Sequence, residues 1–215
     1  GVDKDSISIT GNTVIDALHL VLTKARENNY PHALIEQCKF LENDTNKQFI
    51  LITGHRRENF GSGFEQICKG IALAAKNFPD INFIYPVHLN PNVQEPVRRI
   101  LSSVKNIFLV EPLEYLPFIK LMDKSYFILT DSGGIQEEAP SLGKPVLVMR
   151  DETERPEAVD AGTVKLIGTD HKNIFSNIKL LIEDKKVYEK MSKAHNPFGD
   201  GTACFKIKEI LRKRR

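Results

Sequence analysis

The run Tyr126-Phe127-Ile128-Leu129-Thr130 stops at Asp131-Ser132-Gly133-Gly134 and resumes as Ile135-Gln136-Glu137-Glu138-Ala139. Five β-prone residues, apolar at almost every position, describe a strand covered on both faces. The serine and two glycines then form a turn, and the residues beyond it take a helical pattern. Runs of the same kind recur on either side: Gln48 to Thr53 (QFILIT), Asn82 to Val87 (NFIYPV), Asn106 to Val110, Pro145 to Met149 (PVLVM) and Thr163 to Ile167. Between them lie helix-length segments such as Gly63 to Phe78 (GFEQICKGIALAAKNF). Six buried strands alternating with helices predict an α/β fold, a Rossmann-like doubly wound parallel sheet of about six strands.

At the flanks, Asn12 stands as the N-cap of a helix over Thr13 to Glu27, whose apolar positions follow a 3.6 period. After the last strand come helical stretches at Asn173 to Glu183, Val187 to His195 and Ala203 to Arg212, with no strand between them. Ser6 to Thr10 (SISIT) alternates with period two, and Gly11 follows it like a hinge. That segment reads either as an edge strand of this sheet or as the last strand of a preceding domain. No internal repeat or low-complexity linker interrupts the chain.

The 215 residues are 41% apolar and 27% charged, enough apolar material for a full core. Thirty Lys+Arg against 28 Asp+Glu leave +2, and the basic run is confined to Arg212, Lys213, Arg214 and Arg215. Charge therefore argues against a nucleic-acid or membrane-surface partner. No apolar run approaches the roughly 20 residues of a membrane helix, and no basic stretch leads into an apolar signal segment. The expectation is a cytoplasmic protein. Cys38, Cys68 and Cys204 are an odd number, far apart and without ligand spacing, which fits reduced structural thiols. No metal site is expected, and no cofactor.

In an open parallel sheet, ligands bind beyond the carboxyl ends of the strands. Those ends are polar here: Gly54-His55-Arg56-Arg57-Glu58-Asn59, His88-Leu89-Asn90-Pro91, Asp131-Ser132-Gly133-Gly134, and Arg150 through Arg155. At Ser132, Gly133 and Gly134 the main-chain N–H groups of a strand-to-helix turn are expected to face an anion, with glycine allowing close approach and the Ser132 hydroxyl adding a donor. Glu138, farther along the same helix, is placed to accept from a ribose diol. His55 can act as acid, base or donor to a departing phosphate. Arg56, Arg57 and Arg155 are candidates for phosphate contacts, against the plainer reading of ion pairs with Glu58 or Glu154. His19, His32, His171 and His195 receive no role. Other chemistries fail on spacing: Gly61-Ser62-Gly63 lacks the third glycine of a dinucleotide fingerprint, and there is no Walker run, nucleophile elbow or H-E-x-x-H pair.

Taken together, TGHRREN (53–59), YPVHLNPNV (85–93), PLEYLPF (112–118), LTDSGGIQEEAPSLGKPVLVMRDETERPEA (129–158), AGTVKLIGTD (161–170) and NPFGDG (196–201) closely resemble the non-hydrolysing UDP-N-acetylglucosamine 2-epimerases. The resemblance runs from TGNTVIDAL onward and corresponds to the carboxyl-terminal half of that family's two-domain, GT-B-like architecture. It implies that residues 1–11 are the tail of a preceding domain and a hinge, and that 12–215 form a UDP-binding domain.

The resemblance further implies interconversion of UDP-GlcNAc and UDP-ManNAc by elimination and re-addition of UDP, serving surface polysaccharide biosynthesis, in a full-length homodimer. Residue by residue, His55 matches the active-site histidine; Ser132, Gly133 and Gly134 match the diphosphate turn. Glu138 matches the ribose-binding carboxylate, Arg155 an arginine at the active-site cleft, and Phe118 the residue flanking the uracil pocket. Arg56, Glu58 and His88 match a second, activating UDP-GlcNAc site. Leu113 departs from the pattern, standing where relatives carry glutamine. The carboxylates that handle the C2 proton belong to the family's amino-terminal domain. Two rivals share the sequence signals: a GT-B glycosyltransferase donor domain and a nucleotide-sugar-binding module without chemistry.

Overall fold

The computed structural model describes residues 1–26 and 47–213. Glu27, His32, Cys38, Arg214 and Arg215 lie outside the described residues. The six expected runs form six strands: β1 (Phe49–Thr53), β2 (Asn82–Pro86), β3 (Ile107–Val110), β4 (Ile128–Thr130), β5 (Val146–Val148) and β6 (Val164–Leu166). All neighbours pair in parallel, in the order β3-β2-β1-β4-β5-β6. Each strand is shorter than its apolar run by one or more residues.

The helices are α1 (Thr13–Arg26), α2 (Ser62–Asn77), α3 (Pro91–Leu101), α4 (Tyr115–Lys124), α5 (Gly133–Glu138), α6 (Pro156–Asp160), α7 (His171–Glu183), α8 (Lys185–Ser192) and α9 (Ala203–Lys213). Side chains alternate across the sheet, as a period of two requires. Ile50, Ile52, Phe83, Tyr85, Leu129 and Met149 pack with Phe64, Ile67 and Ile71 of α2 and with Ile174 of α7. Phe49, Leu51, Ile84, Ile128, Val146 and Val148 pack on the other face with Leu18 of α1, Ile119 of α4 and Ile135 of α5. Both faces are covered, so the sheet is doubly wound. Burying each such side chain fully is worth about 1.5–3 kcal/mol, and a charge at Ile128 or Leu129 would forfeit that on one face at the centre of the sheet.

Asn12 caps α1 as its sequence position predicts, its Oδ1 accepting the Val14 N–H at 3.0 Å. Ser6 to Thr10 does not join the sheet. A 3-10 turn occupies Lys4–Ser6, and Ile7 and Ile9 are 59% and 96% exposed, so the edge-strand reading of that segment is corrected. Alternation alone specifies a strand only where an edge is available to pair with it. The described sheet ends at β3 and β6. Among the described residues, no helix is long and apolar enough to cross a membrane.

Candidate functional site

The strand order reverses between β1 and β4, and the two loops that leave this switch point are stitched together. The Thr53 and Thr130 hydroxyls share a hydrogen bond of 2.5 Å. Asp131, immediately after β4, is fully buried, and its Oδ2 accepts the main-chain N–H groups of both His55 and Arg56 at 2.8 Å. From β2, the Tyr85 hydroxyl donates to the Gly54 carbonyl at 2.8 Å, and a Cβ on Gly54 would fall 2.9 Å from that hydroxyl. Position 54 therefore has no room for a side chain. The loop after β1 is held from two sides, and its main-chain path presents the His55 ring, 43% exposed, at the opening.

His55 stacks on His88, with ring centroids 5.2 Å apart and planes 13° from parallel. His88 is itself oriented from behind, its Nδ1 accepting the Asn90 N–H at 3.1 Å. The ends of β1, β2 and β4 thus bring His55, His88, Arg56 and the Ser132–Gly133 turn together.

In that turn, Ser132 occupies the N-cap of α5 without using its hydroxyl as a cap. Its own N–H donates to Thr130 Oγ1 at 2.9 Å. Of the three amides expected to face an anion, the one on Ser132 is already taken. Those of Gly133 and Gly134 stand in the first turn of a helix, which supplies them no acceptor. A Cβ built on Gly133 would lie 3.5 Å from Arg56 Nη2, so the guanidinium hangs over the turn with only a glycine beneath it. Two amides, a hydroxyl and a guanidinium converge on one small volume, an arrangement suited to a diphosphate.

Glu138 closes α5, 7% exposed, and its Oε1 accepts the Tyr115 hydroxyl of α4 at 2.5 Å. Burial raises the carboxyl above its ordinary value of 4.5, the Glu137 charge adds to that, and the bond from Tyr115 opposes it. The folded protein therefore keeps a proton that the unfolded chain releases. This contribution to stability is present below the ordinary glutamate value and is lost as pH rises through the raised one. Glu138→Gln is accordingly expected to raise the melting temperature at neutral pH and to flatten the fall in stability above the ordinary glutamate value of 4.5. In the same variant, UDP affinity should fall about 10-fold or more, the loss of a charged acceptor being worth ~1.5–3 kcal/mol. Thermal melts across pH, with calorimetry on UDP, check both halves.

Phe118 lies one turn beyond Tyr115 on α4, partly buried against the cluster that contains Ile135, and Leu113 packs on the same cluster. A leucine at 113 thus adds apolar contact where the family pattern has an amide.

The arginines are engaged. Arg150, 6% exposed, places its fork on Glu154 at 2.7 and 2.9 Å and bonds Glu58 through Nε. That fork holds the Glu154 carboxyl down at about 2. Arg155 bonds Glu137 through Nε and the Glu154 carbonyl through Nη1. Glu137 in turn accepts from Asn12 at 2.7 Å, and its main-chain carbonyl accepts from Asn196 at 2.9 Å. Glu58 therefore pairs with Arg150, not with Arg56 or Arg57, and Arg56 approaches Glu154 to 3.9 Å. Of the residues matched to an activating site, Arg56 overhangs the turn and His88 stacks on His55, while Glu58 is held by Arg150.

Sequence reading missed four contributors: Asp131, Tyr115, Arg150 and Glu137. Each lies inside a quoted motif, but its part in the site is set by a partner distant in sequence. Asp131 carried the one usable signal, a carboxylate at the end of a buried strand, where only a specific partner justifies it. Among the described residues, no group of three or more His, Cys, Asp or Glu is placed to hold a metal ion. Cys68 is buried, which pushes its thiol up to about 12, and Cys204 is exposed.

Comparison with known proteins bears on this geometry. A family model described as UDP-N-acetylglucosamine 2-epimerase matches residues 1–212. The UDP-N-acetylglucosamine 2-epimerase of Campylobacter jejuni is 58% identical over 214 residues, 98% of this chain and 56% of that protein. A crystal structure of UDP-GlcNAc 2-epimerase from Neisseria meningitidis bound to UDP-GlcNAc is 52% identical with a TM-score of 0.91, covering 99% of this chain and 57% of that one. An S. aureus protein solved with UDP is 44% identical with a TM-score of 0.86, covering 98% and 55%. The chain thus spans a little over half the length of the relatives it matches.

Proposed function

We propose that this chain, which belongs to the UDP-N-acetylglucosamine 2-epimerase family, is the UDP-binding half of an isomerase that interconverts UDP-GlcNAc and UDP-ManNAc in the cytoplasm by eliminating and re-adding UDP. In this reading residues 1–11 are a joint to a preceding domain, 12–215 hold the nucleotide, and the full-length enzyme is a homodimer. The observation that carries it is the Ser132–Gly133 turn at the switch point with Arg56 above it, in a chain 52% identical to a protein solved with UDP-GlcNAc.

The roles follow from position. The Gly133 and Gly134 amides, the Ser132 hydroxyl and Arg56 meet negative charge that grows on the diphosphate as the C1–O bond breaks, which favours departure over ground-state binding. Glu138, held by Tyr115, takes the ribose hydroxyls, and Phe118 flanks the base. His55 exchanges a proton at the reacting end. Arg155 borders the cleft and fixes α5 through Glu137. A second UDP-GlcNAc, bound through Arg56, Glu58 and His88, activates the reaction.

Gly133→Ala tests the turn. Its backbone accepts alanine, and a helical alanine is worth up to ~1 kcal/mol over glycine, so the melting temperature should hold or rise. The added methyl falls 3.5 Å from Arg56 Nη2, in the space the phosphate is proposed to share with that guanidinium. Calorimetry on the 215-residue chain should show UDP affinity falling about 10- to 100-fold, the equivalent of one charge-assisted hydrogen bond. Unchanged affinity would move the diphosphate elsewhere.

A further inference from the structure

Asp131 has a second oxygen that the loop does not use. Oδ1 is buried with no hydrogen-bond partner among the described residues, and the ring atom facing it is His55 Nδ1, 3.8 Å away. A carboxylate oxygen presents only lone pairs, so Nδ1 must carry the hydrogen if the two are not to repel. His88 is fixed in the opposite sense. The Asn90 N–H points at its Nδ1, which must then be bare, leaving the hydrogen on Nε2.

We propose that Asp131 is the positioning residue of His55, and that the stacked histidines are locked in opposite tautomers. They then offer a bare Nε2 on His55 beside an Nε2–H on His88. Asp131 and His88 are the charged or titratable groups shown against the ring, with Arg56 next in the chain sharing Asp131 Oδ2 through its main-chain N–H. On the nucleotide-sugar reading, from which these roles follow, His55 is the partner that accepts a proton and His88 the one that donates a hydrogen bond to a diphosphate oxygen. One ring is a base and its neighbour a donor: His88 cannot exchange roles without breaking its bond from Asn90, and His55 cannot without setting a lone pair on Nδ1 against Oδ1.

Long-range 1H–15N spectra of the 15N-labelled 215-residue chain, with both rings neutral, report each tautomer directly. The expected result is Nδ1–H for His55 and Nε2–H for His88. In Asp131→Asn the two main-chain N–H groups still demand an oxygen, so the amide turns its NH2 toward His55. The His55 tautomer should then reverse to Nε2–H while His88 stays as it was. If the variant fails to fold, the wild-type spectrum decides by itself: His55 as Nε2–H, or both rings in the same tautomer, overturns the proposal. These spectra need no nucleotide. Failure of the chain to bind UDP would remove the assigned roles and the nucleotide reading while the tautomer result stood.

Discussion

In an enzyme of the relatives' full length carrying these residues, His55→Ala is expected to slow conversion of UDP-GlcNAc to UDP-ManNAc by about 10²- to 10⁴-fold, the usual worth of a positioned acid–base group. UDP affinity should move far less, because the contacts proposed for the diphosphate are the turn and Arg56. The two effects separate because His55 is held by its main chain: Asp131 Oδ2 bonds the His55 and Arg56 N–H groups, and these survive truncation of the side chain. Product formation followed by NMR, with UDP calorimetry in parallel, checks the split. Equal rates would remove His55 from the chemistry, and an equal loss of UDP affinity would make it a binding residue.

The second large effect concerns the 215 residues assayed by themselves. They should bind UDP yet produce no detectable UDP-ManNAc. The nucleotide contacts proposed here all come from strand ends within the chain, whereas the carboxylates that the family resemblance implies for the C2 proton would come from an amino-terminal domain. Lacking a positioned base costs about 10²- to 10⁴-fold, and a sugar facing water on one side also loses orientation. Affinity for UDP should be modest, since a ligand covered by one wall keeps much of its hydration. Epimerisation by the chain alone would place the base among these residues, with the carboxylates of Asp131 and Glu138 the first to replace.

The fold was legible because both-face burial leaves a strong trace. FILIT and YFILT have almost no polar positions to disguise them, and the glycines and asparagines between runs mark the turns. Strand polarity directs attention to the polar residues after β1, β2, β4 and β5, whereas the strand order that makes β1 and β4 the switch point is set by pairing the sequence does not show. What stayed hidden was pairing across long sequence separations. Nothing in TDSGG says that Asp131 holds a loop 75 residues earlier, or that Tyr115 reaches Glu138. An ion pair with Glu58 was the plainer alternative for Arg56 and Arg57. In space Arg150 claims it, being buried and needing two carboxylates to justify its charge. Ser6 to Thr10 alternates like a strand yet pairs with neither β3 nor β6, the ends of the described sheet.

The order of the strands has a bearing on how the chain is made. Pairing at the centre of the sheet joins β1 to β4, where Thr53 and Thr130 are 77 residues apart. A ribosome adding about 5–20 residues per second needs roughly 4–15 s to span that interval. Throughout it, β1, β2 and β3 can already associate while the inner edge of FILIT stays open, an apolar strand with unpaired main-chain groups of the kind that recruits other strands. The first half-sheet is thus born with its most vulnerable edge at what will become the switch point, and arrival of YFILT closes both at once. Synthesis rate and chaperone supply across that window should therefore govern the yield of soluble protein more than any property of the finished fold.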